Sequence, residues 1–120
     1  MATLTVPGSG SPFVVPLEVA HSPRARRRGL LGREGVRGAL LLPRTSAVHT
    51  LGMRFAVDVA YLDRRSRVLA VRTMRPGRVG LPRLRARRVL EAEAGAMAGW
   101  GVRRGVRLVV DLDGPARNGA

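Results

Sequence analysis

The run Phe55–Leu62 constrains this chain more than any other stretch. Phe55, Val57, Val59 and Tyr61 share one face by the period of two of an extended chain, and Ala56, Asp58, Ala60 and Leu62 share the other. Both faces are largely apolar, which is the signature of a strand covered on both sides. The run is therefore expected to be a central strand, with Asp58 buried in its middle. A buried carboxylate needs an opposite charge or several hydrogen-bond donors, because stripping one partner from a buried pair costs about 3–5 kcal/mol. Arg33 and Arg54 are the candidate partners.

The flanking segments extend this sheet. Asp63-Arg64-Arg65-Ser66 reads as a hairpin turn into a strand over 67–74, and Phe13–Ala20, Ala39–Leu42, Arg88–Glu93 and Val106–Leu112 read as further strands. Pro16 lacks an N–H, which assigns the first of these to an edge or a bulge. Ser22-Pro23 is a helix start, with Ser as N-cap and Pro at the first helical position, and the helix is expected to run to about Leu31 and stop at Gly32. Residues 94–100 suggest a second, shorter helix. Residues 1–12 read as a flexible lead and 113–120 as a flexible tail, which leaves 13–112 as a single globular domain. The expected class is α+β and mainly β: a compact antiparallel sheet or partial barrel with two short helices.

Charge narrows the chemistry. The formal net charge is +14 and all 22 basic residues are arginine. The absence of lysine, isoleucine and glutamine suggests a GC-rich genome, but GC bias does not explain the scarcity of acids. Residues 64–88 carry ten arginines and no acid: Arg64, Arg65, Arg67, Arg72, Arg75, Arg78, Arg83, Arg85, Arg87 and Arg88. A second cluster lies at Arg24, Arg26, Arg27, Arg28, Arg33 and Arg37. Such patches favour polyanions and acidic protein surfaces, or simply keep a face solvated. The chain has no cysteine, so thiolate chemistry, disulfides and cysteine metal sites are excluded. With no lysine there is no Schiff base and no Ser-Lys dyad. No run is long and apolar enough for a membrane span, and residues 1–20 lack the basic start and unbroken apolar stretch of a secretory signal, so a cytoplasmic location is expected.

Four residues are candidates for a ligand cleft: Arg33, His49, Asp58 and Trp100. His49 precedes the Leu51-Gly52 break, which could fold it back beside the strand and orient it with Asp58 as an acid–base pair. The structural alternative is a buried ion pair at Asp58 and a packed histidine. Arg28-Gly29-Leu30-Leu31-Gly32-Arg33 sets two glycines between arginines at a helix end, where guanidinium groups could clamp an anion or where glycine simply caps the helix. Trp100 reads first as a core or lid anchor. His49, Asp58 and Asp63 lack tight metal-ligand spacing, so no metal and no cofactor are expected. Aromatics are too few for the stacking that single-strand binders use.

Three blocks, in order, resemble the uncharacterised family called domain of unknown function 192. They are Arg28–Arg33; His49–Asp63, closest over Asp58-Val59-Ala60-Tyr61-Leu62-Asp63; and Val89-Leu90-Glu91-Ala92 followed by Ala94-Gly95, Trp100-Gly101-Val102 and Gly105. The resemblance covers about residues 15–110 and implies a small, sheet-rich bacterial or archaeal domain without an established reaction. Gly29, Arg33, Asp58, Glu91 and Gly95 match its pattern. His49, Gly52 and Ala56 depart from the Trp, Asn and Pro common there, so no role of those residues carries over.

The leading functional expectation is a non-enzymatic binding or accessory domain. It would have a cleft near His49–Asp58 and a basic surface (Arg64, Arg65, Arg67, Arg83, Arg85, Arg87, Arg88) for an anionic small molecule or an acidic protein. A small enzyme using His49 and Asp58, and a nucleic-acid module using the 64–88 arginines, are the alternatives.

Overall fold

The computed structural model describes residues 2–8 and 10–112, and it contains seven strands and two short helices. The elements are β1 (Thr3–Val6), β2 (Phe13–Val19), α1 (Pro23–Arg28), β3 (Ala39–Pro43), β4 (Val57–Leu62), β5 (Val68–Met74), β6 (Arg88–Glu93), α2 (Ala96–Trp100) and β7 (Val109–Asp111). They form one curled sheet in the order β5-β4-β6-β3-β2-β1-β7, antiparallel throughout except for the β2–β3 pair. The two ends of the sheet meet. Val68 donates to Val106 at 2.8 Å, Gly105 donates back to Val68 at 2.8 Å, and Leu108 donates to Ser66 at 2.9 Å. The start of edge strand β5 is thereby tied to the segment leading into the opposite edge, β7, and the sheet becomes a half-barrel. The expected class, mainly β with a partial barrel and two short helices, is the class observed.

The inside of the curl is lined by Leu4, Val6, Val15, Leu17, Leu41, Leu62, Val68, Leu90 and Ala92, with Met97 of α2 as the plug. The outside of the middle strands carries a second apolar cluster, including Leu40, Leu42, Val57, Val59, Tyr61 and Val89. It is covered by Leu30 beyond α1, by Met53 and by Ala86, all from connections. Central strand β4 is buried along its whole length, as its two-sided apolar pattern requires.

Three local expectations are corrected. The lead contains β1: Thr3-Leu4-Thr5-Val6 alternates, and Leu4 and Val6 are buried while the threonines are only half-buried. Pro16 does not mark an edge strand. Residues 13–16 of β2 pair with β1, and residues 17–19 pair with β3. Leu17 donates toward β1, to Ala2 at 3.1 Å, so the N–H that Pro16 lacks would have faced the side where β3 has not yet begun. Finally, α1 stops at Gly29 and not near Leu31 and Gly32. Gly29 has φ 51° and ψ −128°, a conformation that essentially only glycine adopts and one that no helix continues through. Ser22 caps the other end, its Oγ accepting from the Ala25 N–H at 3.0 Å. The expected tail, 113–120, lies outside the described residues.

Candidate functional site

The segment that promised a cleft is split by its own strand. Asp58 shares the inward face of β4 with Ala60 and Leu62, whereas Val57, Val59 and Tyr61 face outward. Asp58 is 3% exposed. Its Oδ1 accepts from the Thr73 hydroxyl at 2.7 Å, and its Oδ2 accepts from the backbone N–H groups of Gly95 at 2.9 Å and Met97 at 3.1 Å. Gly95, the N-cap of α2, has no side chain to offer, so Asp58 supplies the capping oxygen from the neighbouring strand. Three donors take up the carboxylate and none is an arginine. Arg33 instead makes a two-pronged pair with Glu18, at 2.8 and 2.6 Å, and Arg54 reaches Glu34 at 3.3 Å. The Arg33 hydrogen bond draws the Glu18 carboxyl below its ordinary range and raises the guanidinium in return. Trp100 packs against the inner cluster from α2.

His49 lies on the other side of the sheet, in the outer covering. It bridges to Val79, and its Nδ1 accepts from the Leu51 N–H at 3.2 Å. The ribbon of residues 48–50 and 77–80 is pinned by buried Thr50. The Thr50 hydroxyl donates to the Arg75 carbonyl at 2.6 Å and accepts from the Arg78 N–H at 2.8 Å. His49 and Asp58 are therefore separated by the sheet and do not form an acid–base pair. Asp63 is equally distant in role: it caps its own turn, accepting from the N–H groups of Arg65 at 2.8 Å and Arg67 at 3.0 Å, and these bonds hold its carboxyl below the usual range.

The residues that do converge are His49, Glu91 and the arginines of the first helix and the β3 end. A cavity of about 520 Å³ is lined by Pro23, Arg26, Arg27 and Gly29 from α1 and its cap, by Leu42 and Arg44–His49, and by Glu91. Arg44 sits at φ 51°, outside the ordinary range for a residue with a Cβ, where β3 turns into the cavity wall. Glu91 is the unusual member. It is 4% exposed, and its Oε1 is buried without a hydrogen-bond partner among the described residues. Burial pushes its carboxyl up to about 7, against the opposing pull of the Leu30 N–H and the Arg33 charge. The backbone of Gly29 approaches so closely that a Cβ there would stand 2.9 Å from Oε1.

In the sequence Glu91 matches the family pattern, but nothing around it assigns it a role. In Val89-Leu90-Glu91-Ala92-Glu93 the alternation resembles a wet outer face. Its one signal is that Glu91 repeats the parity of Val89, which is fully buried. The basic residues also form a belt. Arg44, Thr45 and Ser46 line both the Glu91 cavity and a neighbouring hollow bounded by Arg64, Arg87 and Arg88. A further depression, lined by Arg64, Arg65, Arg67, Arg85 and Arg87, continues it. Arg83 stands apart from the belt, 4.7 Å over the Tyr61 ring. Among the described residues no helix is long and apolar enough to cross a membrane.

Residues 4–110 match the family of domain of unknown function 192, described as an uncharacterised ACR, and the chain belongs to that family. No curated protein matches it. Two solved structures share the fold. A protein of unknown function from Novosphingobium aromaticivorans DSM 12444 is 20% identical, with a TM-score of 0.76 over 89% of this chain and 83% of that one. A proposed transcription regulator from Sinorhizobium meliloti 1021 is 18% identical, with a TM-score of 0.78 over 91% of this chain and 92% of its own.

Proposed function

We propose that this protein is a binding domain for a small anionic molecule, held in the cavity between α1, the Arg44–His49 loop and Glu91. The observation that carries the reading is the pairing of an arginine rim with a buried carboxyl on the cavity wall whose Oε1 has no hydrogen-bond partner among the described residues. Arg26, Arg27 and Arg44 have no acid partner among the described residues, so their guanidinium groups are available for phosphate or carboxylate oxygens. The volume falls in the ordinary range for small-molecule sites, about 300–1,000 Å³. A neutral Glu91 does not repel an anion, and it can donate a hydrogen bond to one. In this reading Asp58 serves the framework, Arg33 is engaged with Glu18 at the surface, and Trp100 serves the core.

Calorimetric titration with inorganic phosphate, pyrophosphate and citrate, at low and moderate salt, tests the proposal. One of these compounds is expected to bind at a single site and to keep most of its affinity as salt rises. Arg44→Ala should weaken it about tenfold, the loss of about one charge-assisted contact, with the melting temperature unchanged. Absence of saturable binding by all three would sink the reading.

The continuous arginine belt supports a second reading, nucleic-acid binding, and the name carried by the Sinorhizobium neighbour agrees with it. A steep fall of oligonucleotide affinity with salt, flattened by Arg64→Ala and Arg87→Ala, is its expected mark.

A further inference from the structure

The edge strand β5 is paired on one side only along most of its length. Its first residues are tied to the 105–108 segment, but over 69–74 the described backbone hydrogen bonds all run to β4. An unpaired edge is a template for another extended chain. Beside it runs a groove of about 720 Å³. One bank is Arg72, Thr73, Met74 and Arg75, and the other includes Arg78 and Arg83. Arg72 faces outward with Met74, whereas Thr73 faces inward to Asp58. Because both line the groove, it wraps the open edge of the strand and does not sit on one face.

The far bank carries apolar side chains in water: Val79 is 69% exposed and Leu81 is 81% exposed. Leu84, at 94%, stands just beyond. From this juxtaposition of open strand edge, arginine banks and exposed aliphatics, we infer that the groove receives an extended acidic segment of a protein partner. That segment adds as a strand to β5, with alternate acidic side chains toward the arginines and alternate apolar ones toward Val79 and Leu81.

Each feature selects this occupant over others. Main-chain pairing supplies affinity and the alternating side chains supply specificity in strand addition. A second copy of this chain is opposed by its own charge, +14 overall, with no acid between residues 64 and 88. Single-stranded nucleic acid needs a ring to stack on, but the one ring in the groove, Tyr61, is buried beneath Arg83. A lipid surface would use the aliphatics and arginines but not the hydrogen-bonding edge. The Arg72 guanidinium now donates to the Val71 carbonyl at 3.0 Å and would exchange that contact for an acidic side chain of the incoming strand.

The probe is a synthetic peptide of alternating Glu and Val, titrated into isotope-labelled full chain, with amide shifts and hydrogen exchange followed by residue. Expected are saturable binding, new protection of amides within 69–74, and at least a tenfold loss of affinity in the Arg75→Glu/Arg83→Glu variant. A peptide of the same charge with its central valines replaced by proline should bind at least tenfold more weakly, because it cannot pair. Equal binding of the proline peptide, no protection in 69–74, or stronger changes in this groove with an oligothymidylate or with phosphatidylglycerol vesicles would each overturn the inference.

Discussion

Two neighbouring interior strands of the half-barrel, β4 and β6, each bury a carboxylate, and the two faces of the sheet treat them in opposite ways. On the inner face, Asp58 of β4 is met by a hydroxyl and two backbone N–H groups, which join β4, β5 and α2 at one point. On the outer face, Glu91 of β6 lies beside Val59 in register, equally buried, with one oxygen unmet. A native structure leaves few buried polar atoms unpaired, and those that remain ask for an explanation. The fully satisfied carboxylate belongs to the framework. The unsatisfied one lines a cavity rimmed with arginine. Burial by itself, then, does not distinguish the two acids; an unmet oxygen beside a cavity is what sets Glu91 apart.

The sharpest way to break this contrast is to remove each group. Asp58→Ala leaves three donors unmet, two of them at the start of α2, and should cost about 3–5 kcal/mol in urea unfolding. Glu91→Gln should fall within about 1 kcal/mol of the parent at pH 4.5, where the folded carboxyl still holds its proton and the neutral amide stands in for it. Equal losses would erase the distinction between the two faces.

Much of the inner face was legible in the sequence and most of the outer face was not. The two-sided pattern of 55–62, the 63–66 turn and the Ser22-Pro23 helix start are local signals, and the strands and α1 follow them. Asp58 was correctly expected to be buried and held. Its partners are not legible in the sequence: two are backbone N–H groups brought across the sheet by α2, and the third is the Thr73 hydroxyl, which only the β4–β5 register sets beside it. The Leu51-Gly52 break suggests that His49 folds back beside Asp58, but the chain crosses from the outer covering into the sheet between them, and strand parity then sends Asp58 inward. Glu91 was hidden for the converse reason. Only the position of β6 between β4 and β3, with the Gly29–Leu30 turn laid over it, turns a wet-looking position into a buried one. In the lead, Pro7, Gly8, Gly10 and Pro12 masked the clean alternation of Thr3–Val6.

Acidity sharpens the comparison further. The folded Glu91 carboxyl titrates near 7 and its ordinary value is 4.5. Between those limits the folded state holds the extra proton, so its contribution is fully present below 4.5, declines as pH rises, and is gone above 7. The change should approach about 3 kcal/mol across that window, measurable as urea midpoints from pH 4.5 to 8 and absent in Glu91→Gln. Glu18 acts in the opposite direction. Its lowered pKa gives stability that is present above 4.5 and lost as pH falls through the folded value, and its half-exposed setting keeps that share below about 1 kcal/mol.

A smaller effect is expected at Gly29. Alanine there must adopt φ 51° and place its Cβ against Glu91, at a cost of about 2–3 kcal/mol. Part of that loss should return in a Glu91→Ala background, and a double-mutant cycle measures how much. Smallest of all, Arg33→Ala should lower stability by less than about 1 kcal/mol, since its pair with Glu18 is partly solvated. A loss as large as that of Asp58→Ala would move Arg33 from the surface into the framework.

The most direct test is the carbon chemical shift of the Glu91 carboxyl followed by NMR against pH, without and with inorganic pyrophosphate. A midpoint near 7 is expected in the free protein, moved upward when the anion is bound, because a neutral Glu91 accommodates the negative charge and an ionised one opposes it. A midpoint in the ordinary carboxylate range, or one that saturating pyrophosphate leaves in place, would contradict the claim that this buried acid and the arginine rim form one site.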